Sequence, residues 1–369
     1  MARPVVITGG GTGGHVFPMQ AIAEALRVHG IAPSDLRFVG SRRGQERTLL
    51  LGDVALTLLP GRGLRRSLRP SDLLANVSSG LGLALALVEA QFLVRRWRPS
   101  VVVSVGGYAS FAVAVAAVCW RVPLVLVDFD AVPGAAHRLL ARRAIKRCTA
   151  FAAAGENVVV TGAPLREGIE AIDRSPGARQ DAKSRAEPPI DADRTVVVVM
   201  TGSLGSRRVN VAVRDLAQSW SSRRDRALVH VTGRRDFAEI VASRPTLDGL
   251  DYRVIEFGDM ESLWSICDVA VCRAGAITVA ELETLAVPAV LVPLPGAPHD
   301  HQTMNARALA EVGGALVVRD DRCNAQTLGD ALDTIADASV RDEMGRAVHS
   351  LAHPHAASAI AEVVLGVRS

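Results

Sequence analysis

The sequence predicts an α/β protein made of two Rossmann-like domains, each carrying a parallel sheet. The chain has 369 residues, and at roughly 150 residues per domain that is enough for two. Short apolar runs alternate with helical segments, the pattern of a parallel sheet covered on both faces. A glycine turn follows the first apolar run of each half, at 9–14 and again at 201–205.

Residues 4–8 (PVVIT) form a short apolar strand that runs into GGGTGG, and a helix is expected from Pro18 to Val28. Further strands are expected at 36–40, 55–59, 101–105 and 123–127, where aliphatic and β-branched residues cluster. Residues 166–193 are polar, contain Pro176, Gly177, Pro188 and Pro189, and lack apolar periodicity, which marks a linker. A second series opens at 195–200 (TVVVVM), with strands expected at 227–231, 252–257, 269–272 and 289–292. We therefore expect an N-terminal domain over 1–163, a linker over 164–194, a C-terminal domain over 195–350 and a closing segment over 351–369.

Hydrophobic residues make up 49% of the chain and charged residues 22%, which excludes a disordered or collagenous class. The five cysteines form no CxxC pair and no zinc-spaced cluster, so neither a disulfide scaffold nor structural zinc is expected. The start runs directly into a strand and glycine loop without an apolar leader, so a cytoplasmic protein is expected. Net charge is +4, but residues 1–150 hold 19 Lys and Arg against 8 Asp and Glu, a net +11; the other 219 hold 23 against 30, a net −7. A basic first half attracts an anionic surface. Residues 77–94 are largely apolar but include Glu89 and Gln91, short of a spanning helix. Arg62, Arg65, Arg66 and Arg69 precede this segment, and Arg95, Arg96 and Arg98 follow it. Two readings fit: a helix lying on an anionic leaflet, or a core helix with a solvated charged rim. Nucleic acid is not an expected partner, because 4% aromatic residues supply no stacking platform.

Three segments carry candidate chemistry. In 9–15 (GGGTGGH), glycines let the backbone approach a diphosphate and the following helix N-terminus supplies N–H donors. Its G-x-G-x-x-G spacing, with Asp35 about 20 residues on, also matches the dinucleotide fingerprint, and a turn without a ligand fits too. His15 closes the loop, where an imidazole serves as a general base or orients the loop. In 273–281 (RAGAITVAE), small residues and Thr278 start a helix, and Glu281 is placed to accept from two ribose hydroxyls. In 298–306 (PHDHQTMNA), Gln302 and Asn305 suit hydrogen bonds to a polar ligand better than His299, Asp300 and His301 suit a metal.

Taken together, these segments resemble the MurG-like glycosyltransferases of family 28, enzymes of the GT-B fold that transfer N-acetylglucosamine from a UDP-sugar to lipid I with inversion. The resemblance spans nearly the whole chain. It runs through 9–18 (GGGTGGHVFP), 61–67 (GRGLRRS), Gly106-Gly107-Tyr108, 131–143, 161–166 (TGAPLR), 202–210 (GSLGSRRVN), 272–281 (CRAGAITVAE) and 300–306 (DHQTMNA). It implies two parallel sheets facing a central cleft. It implies a UDP-sugar in the C-terminal domain, held by Arg166, Ser203, Ile277, Thr278, Glu281, His301, Gln302 and Asn305. It implies a lipid-linked phosphate acceptor in the N-terminal domain, near Thr12, Gly13, Gly14, Gly106, Gly107 and Tyr108, with His15 as base. The basic, apolar face would rest peripherally on the inner face of the cell membrane, and a last helix over 356–367 would return to the first domain.

The chain departs from the family at 127–130, where VDFD stands in place of His-Glu-Gln-Asn, and Asp128 and Asp130 become candidate sugar contacts. Ala163 and Thr201 depart too, from an asparagine and a glycine. The departures open a second reading, a paralogue acting on another lipid phosphate, for instance in phosphoglycolipid antibiotic synthesis. Asp128 and Asp130 also have DxD spacing, but no cofactor or obligatory metal is expected. A nicotinamide oxidoreductase would rest on the first glycine loop alone and leave 273–281 and 300–306 without a purpose. A catalytically silent scaffold would rest on the change at 128–130.

Overall fold

The computed structural model describes residues 3–10, 13–42, 55–60, 70–202 and 204–368. The chain divides into two compact units, Met1–Arg166 with His353–Ser369, and Glu167–Ala352.

In the first unit, seven described strands form one parallel sheet: β1 (Val5–Thr8), β2 (Leu36–Ser41), β3 (Leu56–Leu59), β4 (Val101–Ser104), β5 (Leu124–Asp128), β6 (Lys146–Thr149) and β7 (Val158–Val160), in the order β3-β2-β1-β4-β5-β6-β7. β1, β4 and β5 are buried along their whole length, as continuous aliphatic runs require when helices cover both faces. The helices are α1 (Gly13–Val28), α2 (Pro70–Trp97), α3 (Tyr108–Cys119) and α4 (Ala135–Leu140). The closing helix Ala356–Val367 packs on α1, where His29 and Ser358 share a 3.0 Å hydrogen bond.

α2 packs against α3 in an unusual sense. Among the positions whose burial is described, those buried are Gly82, Ala86, Ala90 and Val94, one residue per turn and nearly all small, facing an alanine-rich α3. Of its large side chains, Leu87, Leu93 and Trp97 pack partly buried against that core, whereas Leu81, Leu85, Val88 and Phe92 are each at least 61% exposed.

The second unit repeats the plan. Its described strands are β8 (Thr195–Met200), β9 (Arg226–Val231), β10 (Asp251–Ile255), β11 (Val269–Cys272), β12 (Ala289–Leu291) and β13 (Ala315–Val317), all parallel, in the order β10-β9-β8-β11-β12-β13. Its helices are α5 (Glu167–Glu170), α6 (Pro176–Arg185), α7 (Arg207–Ser219), α8 (Phe237–Ala242), α9 (Met260–Ile266), α10 (Ala276–Thr284), α11 (His301–Glu311), α12 (Ala325–Thr334) and α13 (Ala338–His349). Val197, Val199, Val271 and Val290 pack on Val209, Val213 and Leu216 of α7. In both units the strand order reverses beside the first strand, between β1 and β4 and between β8 and β11, and ligands of open α/β sheets bind at the carboxyl ends of such a reversal.

Several expectations from sequence need correction. α1 starts at Gly13, five residues before Pro18, so His15 lies on its first turn; the proline stands inside the helix and costs one main-chain bond. Residues 167–194 are not an extended linker. α6 is fixed to the second unit by Asp268, which pairs with Arg179 at 3.0 Å and Lys183 at 2.8 Å and accepts from Val196 N–H. β6 (KRCT) is too mixed in composition to show an apolar run, and β7 and β13, apolar but three residues each, are too short to stand out. Asp35 closes a turn before β2, at the amino end of a strand parallel to β1, whereas the glycine loop leaves the carboxyl end. The four paired residues of β1 and β2, about 13 Å, separate the two ends, so the dinucleotide fingerprint lacks its acid.

Candidate functional site

The sequence-predicted loops gather at the two reversals. In the first unit, the loop after β1 meets the loop after β4. Gly107 has φ +89°, and a Cβ there would collide with the Gly10 carbonyl, so only glycine permits this contact. Gly107 caps α3, whose first residue is the half-buried Tyr108; burial pushes its phenol pKa up. Gly13 and Gly14 open α1, whose N-terminus is a natural place for an anion. His15 is half-buried, its ring 5.6 Å from that of Phe129 and close against Gly106, where a Cβ would lie 3.3 Å from Nε2. Arg166 places its guanidinium 4.8 Å above the Phe17 ring, beside α1.

Beneath these loops lies a polar chain that sequence reasoning missed. His137 on α4 bonds through Nδ1 to Asp128 Oδ1 at 2.6 Å and through Nε2 to Ser104 Oγ at 2.8 Å; Arg147 reaches the other Asp128 oxygen at 3.4 Å. Ser104, Asp128 and His137 are all buried. Asp128 is therefore turned into the unit, its oxygens already accepting from His137 and Arg147. This corrects its expected role as a sugar contact and removes it from a DxD pair with the half-buried Asp130. The signal available in the sequence was a polar residue closing an aliphatic strand, in VVVS and LVLVD.

In the second unit Arg273 organises the loops. Its Nη1 donates to the Val292 and Pro293 carbonyls at 2.9 and 3.0 Å, and Nη2 donates to Ser206 Oγ at 2.6 Å and pairs with Asp320 at 2.8 Å. One guanidinium thus ties together the segments that follow β8, β11, β12 and β13. Gly205 has φ +74° and sits where a Cβ would strike the Thr232 carbonyl; Asn210 donates to that same carbonyl and to Asp236. Asn210 also bonds His230 at 3.0 Å, and burial lowers the His230 pKa to about 3.

α10 begins behind Gly275 with Ile277 and Thr278 half-buried on its first turn. Glu281 is buried one turn on, and the indole of fully buried Trp264 donates to its Oε2 at 3.2 Å, a support unseen in the sequence. Gln302 accepts the Leu294 N–H at 3.0 Å through Oε1, and His301 bonds the Pro298 carbonyl through Nδ1 at 2.9 Å. Asn305 needs correction as a ligand contact: it is 0% exposed and donates to the Ala274 carbonyl at 3.0 Å, so it joins α11 to the 273–275 loop. Thr12, Ser203 and the basic cluster Arg62, Arg65, Arg66 and Arg69 lie outside the described residues. Among the described residues no group of three His, Cys, Asp or Glu side chains could hold a metal, the 299–301 run included.

Comparison with known proteins gives this arrangement its context. Residues 5–148 match the glycosyltransferase family 28 N-terminal domain and residues 196–360 the family 28 C-terminal domain. A relative from Alkalilimnicola ehrlichii is 36% identical over 99% of both chains. The chain belongs to glycosyltransferase family 28. That relative is described as a UDP-N-acetylglucosamine--N-acetylmuramyl-(pentapeptide) pyrophosphoryl-undecaprenol N-acetylglucosamine transferase, as is one from Anaeromyxobacter dehalogenans, 34% identical over 98% of this chain and 92% of its own. The crystal structure of Acinetobacter baumannii MurG superposes with a TM-score of 0.77 at 25% identity, covering 99% of this chain and 100% of that one. The calicheamicin glycosyltransferase CalG4, at 16% identity and TM-score 0.69 over 99% of both chains, shares the fold. This family 28 member is a glycosyltransferase of the GT-B fold, and the MurG resemblance read from its motifs holds along the whole chain.

Proposed function

We propose that this chain transfers N-acetylglucosamine from UDP-N-acetylglucosamine to lipid I, forming lipid II at the cytoplasmic face of the membrane. The observation that carries the reading is end-to-end similarity to relatives named for that reaction, over 99% of both chains in one case. The second unit receives the donor: Glu281, held by Trp264, takes the ribose hydroxyls. The N-terminus of α10 with Ile277 and Thr278 and the Ser203 loop attend the nucleotide and its diphosphate, and Gln302 and His301 face the sugar; Arg166 belongs to the first unit, beside α1. The first unit receives the acceptor diphosphate at Thr12, Gly13, Gly14, Gly106 and Gly107, with Tyr108 alongside.

His15 removes the acceptor hydroxyl proton as that oxygen bonds to the anomeric carbon. The bond from that carbon to the diphosphate breaks in the same step and UDP departs, so the configuration inverts without a covalent enzyme intermediate. Helix N-termini and guanidinium groups stabilise the charge that develops on the leaving diphosphate. No cofactor takes part in this reading, and turnover that survives EDTA is its expected signature.

The outward leucine and phenylalanine face of α2 supports docking on an anionic leaflet. Leu81, Leu85, Val88 and Phe92 form one exposed stripe, with exposed Arg95, Arg96 and Arg98 at its end. No described helix is long and apolar enough to cross a membrane, and apolar surface rimmed by arginine suits lying on one.

The test is an assay by mass spectrometry with UDP-N-acetylglucosamine, other UDP-hexoses and a soluble lipid I analogue. Formation of the N-acetylglucosaminyl product, lost in His15→Ala with donor binding intact, is the expected result. Asp130, in place of the family asparagine, favours a second reading with another sugar or lipid phosphate; release of UDP only with a different pair would establish it.

A further inference from the structure

Gly106 and Phe129 confine the His15 ring, and both hang from strand ends. Gly106 stands two residues beyond Ser104, the last residue of β4, and Phe129 directly follows Asp128, the last residue of β5. Ser104 pairs with Thr8 of β1 and Asp128 with Thr149 of β6, but between β4 and β5 themselves the register ends at Ser104↔Leu126. What joins the two strand ends past that point is the chain Arg147–Asp128–His137–Ser104, at 3.4, 2.6 and 2.8 Å. No water competes for it, because Ser104 is 0% exposed, His137 4% and Asp128 5%. α4, which carries His137, is only six residues long and has no side-chain cap at its start, so Leu140 in the core and this pair of bonds set its place above the sheet. An imidazole suits the gap: a flat ring that donates Nδ1–H to the carboxylate and accepts the serine O–H at Nε2.

We propose that His137 is a positioning residue for His15. By joining Asp128 to Ser104 it fixes the separation of Phe129 and Gly106, and so the direction in which His15 presents its ring to the acceptor. His137 contacts no substrate. The proposal rests on His15 being the base, and its effect is geometric: a displacement of about 1 Å at a reacting group costs about a hundredfold in rate.

The experiment uses the full chain with Ser104→Ala, His137→Gln and His137→Ala, each alone and combined with His15→Ala, assayed with UDP-N-acetylglucosamine and a soluble lipid I analogue. Ser104→Ala removes one hydroxyl and keeps the test open should His137→Ala not fold. The expected result is a kcat lower by about tenfold to a hundredfold with donor KM unchanged, and partial recovery in His137→Gln. In the His15→Ala background the same changes add nothing further. An equal loss in both backgrounds overturns the proposal and leaves His15 as the base, whereas full turnover by His15→Ala overturns the base reading itself. Imidazole ¹⁵N–¹H spectra provide a readout that needs no substrate. Ser104→Ala and His137→Gln are expected to move the His15 titration midpoint and ring shifts, and a His15 spectrum identical to wild type in both overturns the proposal.

Discussion

The two units share a strand order and differ in how they hold the loops at its reversal. In the first, a histidine ring links one carboxylate to one hydroxyl; in the second, an arginine gathers two carbonyls, a hydroxyl and a carboxylate. Main-chain pairing runs at most about one residue past the ends of β4, β5 and β11, as in Val105 N–H to the Thr8 carbonyl, so side chains help set the loops, and the groups offered there select the tie. Carbonyl-rich ends call for a guanidinium with its five donors, while a carboxylate–hydroxyl pair calls for a group that both donates and accepts. The outer helices differ as well. α7 buries Val209, Val213 and Leu216 and turns charge outward, whereas α2 buries small residues and turns leucine and phenylalanine outward.

The largest effect should come from breaking the arginine tie. Arg273→Ala is expected to lower kcat/KM by about a hundredfold or more and to cost about 2 kcal/mol in urea unfolding, because two carbonyls and Ser206 lose their donor while Asp320 keeps only Arg208. Arg273→Lys should recover little, since an ammonium cannot reach the same four acceptors. A nearly wild-type Arg273→Ala would mean that the loops hold themselves and that the contrast between the units is incidental.

Next in size is the contrast between the helices. Leu85→Glu with Phe92→Glu should weaken binding to anionic vesicles by about a hundredfold or more, at roughly 1.5–3 kcal/mol per buried large side chain. Turnover of a soluble acceptor should stay unchanged. Equal vesicle binding by wild type and the double variant would remove α2 as the docking face.

A third expectation concerns pH and belongs to the second unit. Burial lowers the His230 pKa to about 3, whereas in the unfolded chain it titrates near 6.5. Between these values the unfolded state binds the extra proton, so stability rises with pH in that window and falls on acidification below about 6.5. The loss at pH 5 is about 2 kcal/mol. Urea unfolding of wild type and His230→Gln at pH 7 and pH 5 measures it, and the variant should show the shallower slope. The smallest effect is that of Trp264→Phe, which removes the indole donor to Glu281 and should raise donor KM about fivefold, the worth of one hydrogen bond of about 1 kcal/mol.

The strands were legible wherever an aliphatic run was long enough to be buried, as in β1, β4, β5, β8 and β11. The glycine loops were legible because positive φ and close approach leave no other residue possible. β13 and β7, three residues each, were not, because their place comes from the sheet that receives them. Among candidate site residues, His15 lies on the first turn of α1 and Glu281 on α10, the helix starts that local pattern indicated. Asp128 and Asn305 were misread for one reason: a polar side chain next to a loop looks the same in sequence whether it faces a ligand or cross-ties the loop from below. Arg273 and His137 act on residues 67 and 33 positions away, at Ser206 and Ser104, so local spacing could not reveal them.

The small inward face of α2 carries a further consequence for how variation in this protein would be read. Leu81, Leu85, Val88 and Phe92 add little to folding, since each is at least 61% exposed in the folded unit, while Leu87, Leu93 and Trp97 of the same helix do pack on the core. A melting-temperature screen would therefore score polar replacements at Leu81, Leu85, Val88 and Phe92 as silent and would flag Ala86 and Ala90, where any added atom must fit between two helices. Natural selection, if it sees the bilayer, would rank the same six positions in the opposite order of chemical restraint: apolar outside, merely small inside.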